Sequence, residues 1–154
     1  MINITGGKFN RKHLETISDF VRPTASITRE AFFSIIESYA TKNSFDLYSN
    51  KVFLDLFSGI GTMGLEAISR GIERVIFYES NEKVVSVLEK NCLKFCKKDQ
   101  YEIIIQNLEN TDIKLNFENV SIIYIDPPYN KYNISNLLKS LQNKINKRTI
   151  IGLE

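Results

Sequence analysis

The sequence predicts an α/β protein built on a mostly parallel, doubly wound sheet. Three observations carry that expectation. Apolar runs of strand length alternate with stretches of helical period from residue 52 onward. The first strand runs into a glycine loop, Ser58-Gly59-Ile60-Gly61-Thr62-Met63-Gly64, that opens a helix. A later apolar strand, Ser121-Ile122-Ile123-Tyr124-Ile125, ends in Asp126-Pro127-Pro128-Tyr129, and the ends of such strands are where open α/β sheets place their ligands.

Residues 1 to about 50 read as an N-terminal extension packed on a core of residues 51–154, a single domain in all. The extension begins with a short strand-like piece, a double glycine at Gly6-Gly7 and a basic tip carrying Lys8, Phe9, Arg11, Lys12 and His13. Basic side chains interleaved with an aromatic suit phosphates and stacked bases; a solvated charged loop is the alternative, and His13 is expected to be a surface residue of that arm. After Arg22-Pro23-Thr24 a helix is expected from Thr28 to Thr41, with Ala31, Phe32, Ile35, Ile36, Tyr39 and Ala40 as its apolar face.

The core follows in order. Val52 to Phe57 is a strand, and the helix 63–70 after it closes on Gly71, a residue suited to the left-handed C′ position. Arg74 to Tyr78 is the next strand, and a helix from Glu82 to about Lys97 starts at the N-cap Asn81 and buries Val84, Val85, Leu88, Cys92 and Phe95. Strands at 101–105 and 121–125, a helix near Ser135 to Gln142 and a strand at 149–153 complete the pattern. Cys92 and Cys96 are expected as reduced thiols near the buried helix face, and the lysines at 94, 97, 98, 139, 144 and 147 as solvated helix faces.

Composition bounds the function. The 154 residues, 43% hydrophobic and 25% charged, suit one soluble globular domain, and a chain of this length hides roughly 70% of its unfolded surface. No signal peptide or bilayer-length apolar run is visible, so the cytoplasm is the expected compartment. A single histidine leaves metal and triad chemistry little to work with, and no metal is expected. The net charge of +2 permits a nucleic-acid partner without demanding one.

Two motifs carry chemistry. Pro127 and Pro128 fix φ twice and remove two N–H donors, so the loop after Ile125 is stiff and presents acceptors: the Asp126 carboxylate and neighbouring carbonyls. Acceptors suit a substrate amine whose lone pair is delocalised into a ring, because gripping its hydrogens pushes the lone pair forward. Tyr129 can stack on a flat base, and a purely structural Pro-Pro turn is the alternative. Gly59, Gly61 and Gly64 satisfy a nucleotide-binding fingerprint, with Glu79 lying 20 residues beyond Gly59 at the next strand end, where an acid grips a ribose diol. That pattern fits NAD or S-adenosylmethionine. Asp55, four residues before Gly59, would repel a pyrophosphate but suits an ammonium and sulfonium.

In these stretches the chain resembles the bacterial small-subunit ribosomal RNA guanine-N2 methyltransferases, Rossmann-like class I enzymes that use S-adenosylmethionine. The resemblance rests on Ile4-Thr5-Gly6-Gly7, Arg22-Pro23-Thr24, Arg29-Glu30-Ala31-Phe32-Phe33, the run from Asp55 to Ala67, and Asp126-Pro127-Pro128-Tyr129, in family order over nearly the whole chain. It implies that Asp55, Gly59 and Gly61 cradle the methionine end of the cofactor and Glu79 its ribose, with Phe57, Ser80 and Leu108 alongside. Asn107 would face the adenine edge. Asp126, the Pro127 carbonyl, Pro128 and Tyr129 would grip and stack a guanine, and Gly7, Arg11, Lys12, Arg22 and Arg29 would form an RNA-facing or site-closing rim.

The implied activity is methyl transfer to the exocyclic N2 of a guanine, with ribosomal RNA or the small ribosomal subunit as partner, no membrane, and a monomeric enzyme. The family continues past this point with a helix and an antiparallel strand pair, so the expectation here is a sheet truncated after its fifth core strand, with 149–153 as an exposed edge. Other readings stay open: an adenine-N6 or cytosine-N4 methyltransferase, a protein glutamine methyltransferase, which would carry Asn at 126, or a binding module without catalysis. Neutralising Arg11 and Lys12 together should weaken RNA binding and flatten its salt dependence by roughly 0.7 to 0.9 per lost phosphate contact. A titration of affinity against salt checks this, and an unchanged slope makes the arm a solvated loop.

Overall fold

The computed structural model describes residues 1–17, 23–109, 111–129 and 132–154. Arg22, assigned above to the rim, lies outside the described residues. The order of elements is β1 (Ile2–Asn3), a 3-10 turn at Gly7–Phe9, β2 (His13–Leu14), α1 (Ser26–Lys42), β3 (Val52–Leu56), α2 (Thr62–Arg70), β4 (Arg74–Glu79), α3 (Glu82–Phe95), β5 (Tyr101–Ile105), β6 (Val120–Ile125), α4 (Ile134–Gln142) and β7 (Ile150–Leu153). The α/β expectation holds, and the core bounds fall within about two residues of those read from periodicity.

Five strands pair in parallel in the order β5-β4-β3-β6-β7. The chain moves outward from β3 through β4 to β5, then returns to the other side of β3 with β6. The ends of β3 and β6 therefore flank the point where the strand order reverses, which is where ligands bind in sheets of this type. Both faces of the sheet are covered. Phe33, Phe53, Leu65, Phe77, Leu88 and Ile122 form a core under α1, α2 and α3, while Leu54, Leu56, Ile113, Phe117, Ile123 and Leu137 form one under α4 and the segment before β6. Burial on both faces explains why β3 and β6 read as near-continuous apolar runs rather than alternating ones. β7 is the outer strand on its side, and no described helix is long and apolar enough to cross a membrane.

Helix ends follow local chemistry. Asn81 and Asn133 each stand as N-cap, their side-chain oxygens accepting from Lys83 N–H and Ser135 N–H. Gly71 ends α2 at φ 114°, a left-handed conformation where a β-carbon would be costly. Cys92 is a buried free thiol and Cys96 a half-buried one at the C-cap of α3.

The N-terminal arm docks on α2 through the Glu66 carboxylate and the Ser69 hydroxyl, which accepts the Phe9 N–H and donates to the Gly6 carbonyl. Glu66, fully buried, accepts from Thr5 N–H and Thr5 Oγ1, both at 2.8 Å, and pairs with Arg70 at 3.1 Å and with Arg29 at 3.7 Å. Arg29 also donates to the carbonyls of Thr24 and Asn3. Burial lowers the Arg29 pKa from its ordinary value and the Glu66 charge opposes that shift. Arg29 is thus a tie between arm, α1 and α2, not the rim residue expected from the resemblance. It also sets the face of α1: Arg29, Phe33, Ile36 and Ala40 point inward, and Phe33 stacks on Phe53. Ile35 and Tyr39, expected in the apolar face, are 68% and 53% exposed.

Gly7 also serves the packing of the arm. Its φ is 71°, and a β-carbon there would lie 1.9 Å from the Ser69 carbonyl oxygen, so glycine is required for the chain to lie against the last turn of α2. That turn is the end of α2 remote from the glycine loop, about 13 Å away for a helix of nine residues. Gly7 therefore cannot close a ligand site at the loop, and Arg11 and Lys12 project from the same remote tip as exposed residues.

Glu66→Ala should destabilise the fold by about 3 to 5 kcal/mol, because it strands the buried Arg29 charge without its partner. Urea unfolding measures this, and a loss below about 1 kcal/mol would mean that water or another group satisfies Arg29.

Candidate active site at the strand-order switch

Two carboxylates at neighbouring strand ends hold the glycine loop. Asp55, near the end of β3, accepts the Gly64 N–H at 2.9 Å. Glu79, the last residue of β4, accepts the Gly59 N–H at 2.9 Å through one oxygen and the Ser80 and Asn81 N–H groups, each at 2.9 Å, through the other. The loop between them departs from ordinary backbone. Phe57, Gly59 and Gly61 all have positive φ; for Phe57, at 63°, this costs on the order of 1 to 3 kcal/mol and persists only where the surroundings enforce it. Ser58 supplies that enforcement, since its N–H and Oγ both donate to the Tyr78 carbonyl.

Below the loop lies a cleft of about 700 Å³. Gly59, Glu79, Ser80 and Leu108 line one part of it, and Asp126, Pro127, Pro128 and Tyr129 line another; Phe57 and Thr24 also face it. A narrow recess lined by Asp55, Phe57, Gly59, Thr24 and Asp126 adjoins it. The structure thus gathers the two sequence motifs, more than 60 residues apart, around one space. Tyr129 is 78% exposed at its mouth, and Phe57 meets Tyr132 edge to face at 4.9 Å between ring centres.

Two residues expected at the cofactor sit differently. Asn107 is exposed and does not line the cleft; its side-chain oxygen accepts the Glu109 N–H and its carbonyl the Thr111 hydroxyl, so it shapes the turn after β5. Gln106 and Leu108, on either side, face the space instead. Gly61 is the N-cap of α2, and a β-carbon on it would approach Leu88 to 2.5 Å, so its small size serves helix packing at the head of the loop. Sequence reading passed over Gln106, Thr28, Tyr132 and Glu154 as lining residues. Only the aromatic Tyr132, close behind Asp-Pro-Pro-Tyr, left a signal.

The electrostatics are one-sided. Burial, with the charges of Asp126 and Glu79, pushes the Asp55 carboxyl up to about 7 even though the Gly64 N–H favours its ionised form. Burial and the charge of Glu154 push Asp126 up to about 6. The groups that shift these acids upward are burial and other acids, so the recess would repel a pyrophosphate and would be relieved by a cation. Among the described residues no group of His, Cys, Asp and Glu is placed to hold a metal ion. An ammonium and a sulfonium suit the charge of the recess, and of the roughly four lone-pair sites on Glu79 the three N–H groups leave about one, on Oε2, for a further donor.

This fold and this cleft define a Rossmann-like class I methyltransferase, the class whose methyl donor is S-adenosylmethionine. The chain belongs to the bacterial small-subunit ribosomal RNA methyltransferase family. Residues 2–154 match the family described as "Conserved hypothetical protein 95". Ribosomal RNA small subunit methyltransferase D of Buchnera aphidicola is 31% identical over 154 residues, covering 99% of this chain and 74% of that relative. A putative methylase from Haemophilus influenzae superposes with a TM-score of 0.74 at 23% identity, over 99% of this chain and 80% of that one. An RNA methyltransferase from Salinibacter ruber, solved with S-adenosyl-L-homocysteine, superposes with a TM-score of 0.64 at 15% identity, over 84% and 75%.

S-adenosylmethionine affinity should rise as pH increases through the pKa values of about 6 for Asp126 and about 7 for Asp55, because a cationic ligand binds the ionised carboxylates. Calorimetry between about pH 5.5 and about pH 8 checks this, and Asp55→Asn should flatten most of the rise. A flat profile in the parent would contradict the electrostatic assignment.

Proposed function

We propose that the chain methylates the exocyclic N2 amine of a guanine in small-subunit ribosomal RNA, in the cytoplasm, acting on the RNA or on the small ribosomal subunit. The observation that carries this reading is Asp126, an acceptor at the mouth of the same cleft whose inner part is the carboxylate-held glycine loop. Support for the RNA comes from relatives whose names give small-subunit ribosomal RNA as their target.

Asp55, Gly59 and Glu79 would hold the cofactor, with Phe57, Ser80 and Leu108 against it. When bound, S-adenosylmethionine supplies an electrophilic methyl group on a sulfonium. The rest of the chemistry belongs to the protein. Asp126 and the Pro127 carbonyl accept the two hydrogens of the guanine amine, which turns its nitrogen toward a tetrahedral geometry and frees the lone pair. Tyr129 stacks on the base, and Pro127 and Pro128 keep the acceptors stiff, so no reorganisation is needed as positive charge grows on nitrogen. Positioning of two reactants in this way is worth up to roughly 7 to 11 kcal/mol. No strong base is required, because the nitrogen that gains a methyl becomes far more acidic and releases its proton. The target base must be unpaired or turned out of a helix, since pairing occupies the same amine.

Asp126→Ala should lower single-turnover methyl transfer to small-subunit RNA on the order of a hundred- to a thousandfold, by analogy with removal of one oxyanion-hole donor. Asp126→Asn, which keeps an acceptor oxygen, should lose less. Cofactor affinity, measured alongside, should fall far less than the rate. Transfer by Asp126→Ala within a few-fold of the parent would reduce the loop to a structural turn.

A further inference from the structure

Glu154 stands beside the amine clamp without a role in the reading above. Its backbone N–H donates to the Ile125 carbonyl at 3.1 Å, continuing the β6–β7 ladder by one residue and setting it against the residue before Asp126. Its Oε2 accepts the Tyr124 hydroxyl at 2.6 Å. Tyr124 is mostly buried and its phenol is pushed up, first by burial and then by Glu154, so it remains a neutral donor that fixes the carboxylate. Oε1 is left without a protein donor among the described contacts, and Glu154 lines the same cleft as Asp126, Pro127 and Tyr129. Adjacent strands run about 4.8 Å apart, so the two strand ends present two carboxylates side by side to one ligand.

A pair of neighbouring acceptors has a counterpart among the bases. Guanine presents two adjacent donors on its pairing edge, the N2 amine and N1–H. Adenine and cytosine present an amine beside a ring nitrogen that carries a lone pair, and that lone pair would face a carboxylate. We infer that Glu154 accepts the N1–H of the target guanine while Asp126 holds its N2 amine, making Glu154 the residue that selects guanine over adenine and cytosine. The charge that Glu154 places on Asp126 agrees with their closeness. This inference rests on the proposed guanine-N2 reaction and adds to it the means by which the base is recognised. Tyr124 would act through Glu154, as a positioning residue.

The test crosses the protein with the substrate. Parent, Glu154→Gln and Glu154→Ala chains are assayed on small-subunit RNA carrying either guanine or 2-aminopurine at the methylated position, assembled into particles where naked RNA is not turned over. 2-Aminopurine keeps the exocyclic amine and lacks N1–H. The parent should lose about ten- to a hundredfold in kcat/KM on 2-aminopurine, the worth of one charge-assisted hydrogen bond. Glu154→Ala should lose a similar factor on guanine and almost nothing further on 2-aminopurine, while Glu154→Gln, which retains an acceptor, should fall between them. If Glu154→Ala loses the same factor on both substrates, Glu154 is only a structural contact and the inference is overturned. If the parent places no methyl on guanine N2, the guanine reaction itself fails and this inference with it.

Discussion

The glycine loop depends on being held at both ends by carboxylates from neighbouring strands. Asp55 takes the Gly64 N–H and Glu79 takes the Gly59 N–H, and between these anchors Phe57, Gly59 and Gly61 keep a backbone that would otherwise relax. The register of β3 against β4 makes this possible, since Asp55 pairs with Phe77 and Leu56 with Tyr78, leaving Glu79 one step beyond the end of β3. The same carboxylates that shape the loop give its recess its negative character. Structure and ligand preference therefore share one set of charges: neutralising Asp55 weakens a charge-assisted hydrogen bond to the start of α2 and changes what the recess attracts.

α2 is fixed at its middle by a second buried acid. Glu66 gathers Thr5, Arg29 and Arg70, and Arg29 in turn takes the Thr24 carbonyl. Thr24 lines both the recess and the cleft. A chain of contacts thus runs from the buried ion pair to the rim of the site, and the N-terminal arm contributes by orienting Thr24 rather than by offering Arg29 to a ligand. A buried ion pair of this kind is weak evidence of net stability. Its consequence here is placement: it decides which face of α1 turns inward and where the segment after residue 22 enters the site.

Much of this was legible in the sequence because periodicity and spacing are local. Strands buried on both faces announce themselves as apolar runs, and Gly59, Glu79 and Asp126 stand at strand ends where the pattern itself locates them. What stayed hidden depends on partners distant in the chain. Arg29 looked like a surface cation because its partner, Glu66, lies on another helix, and with an arginine in the buried series the α1 face read from apolar residues alone came out rotated toward Ile35 and Tyr39. The packing role of Gly7 was hidden because nothing local shows that its backbone lies against Ser69. Asn107 and Gln106 are neighbours in a turn, and only the turn's hydrogen bonds decide which one faces the cleft. Glu154 is set at the strand end beside that of Asp126 only because β7 pairs with β6, a contact between strands that no local pattern records.

The central claim is that the cleft methylates a ring-attached amine presented to Asp126, and that the base is guanine. The most direct measurement is nucleoside analysis by mass spectrometry of small-subunit ribosomal RNA incubated with the protein and isotopically labelled S-adenosylmethionine. The account predicts label in N2-methylguanosine at a single position. Label in N6-methyladenosine or N4-methylcytidine, or in a carbon-methylated base, would contradict it.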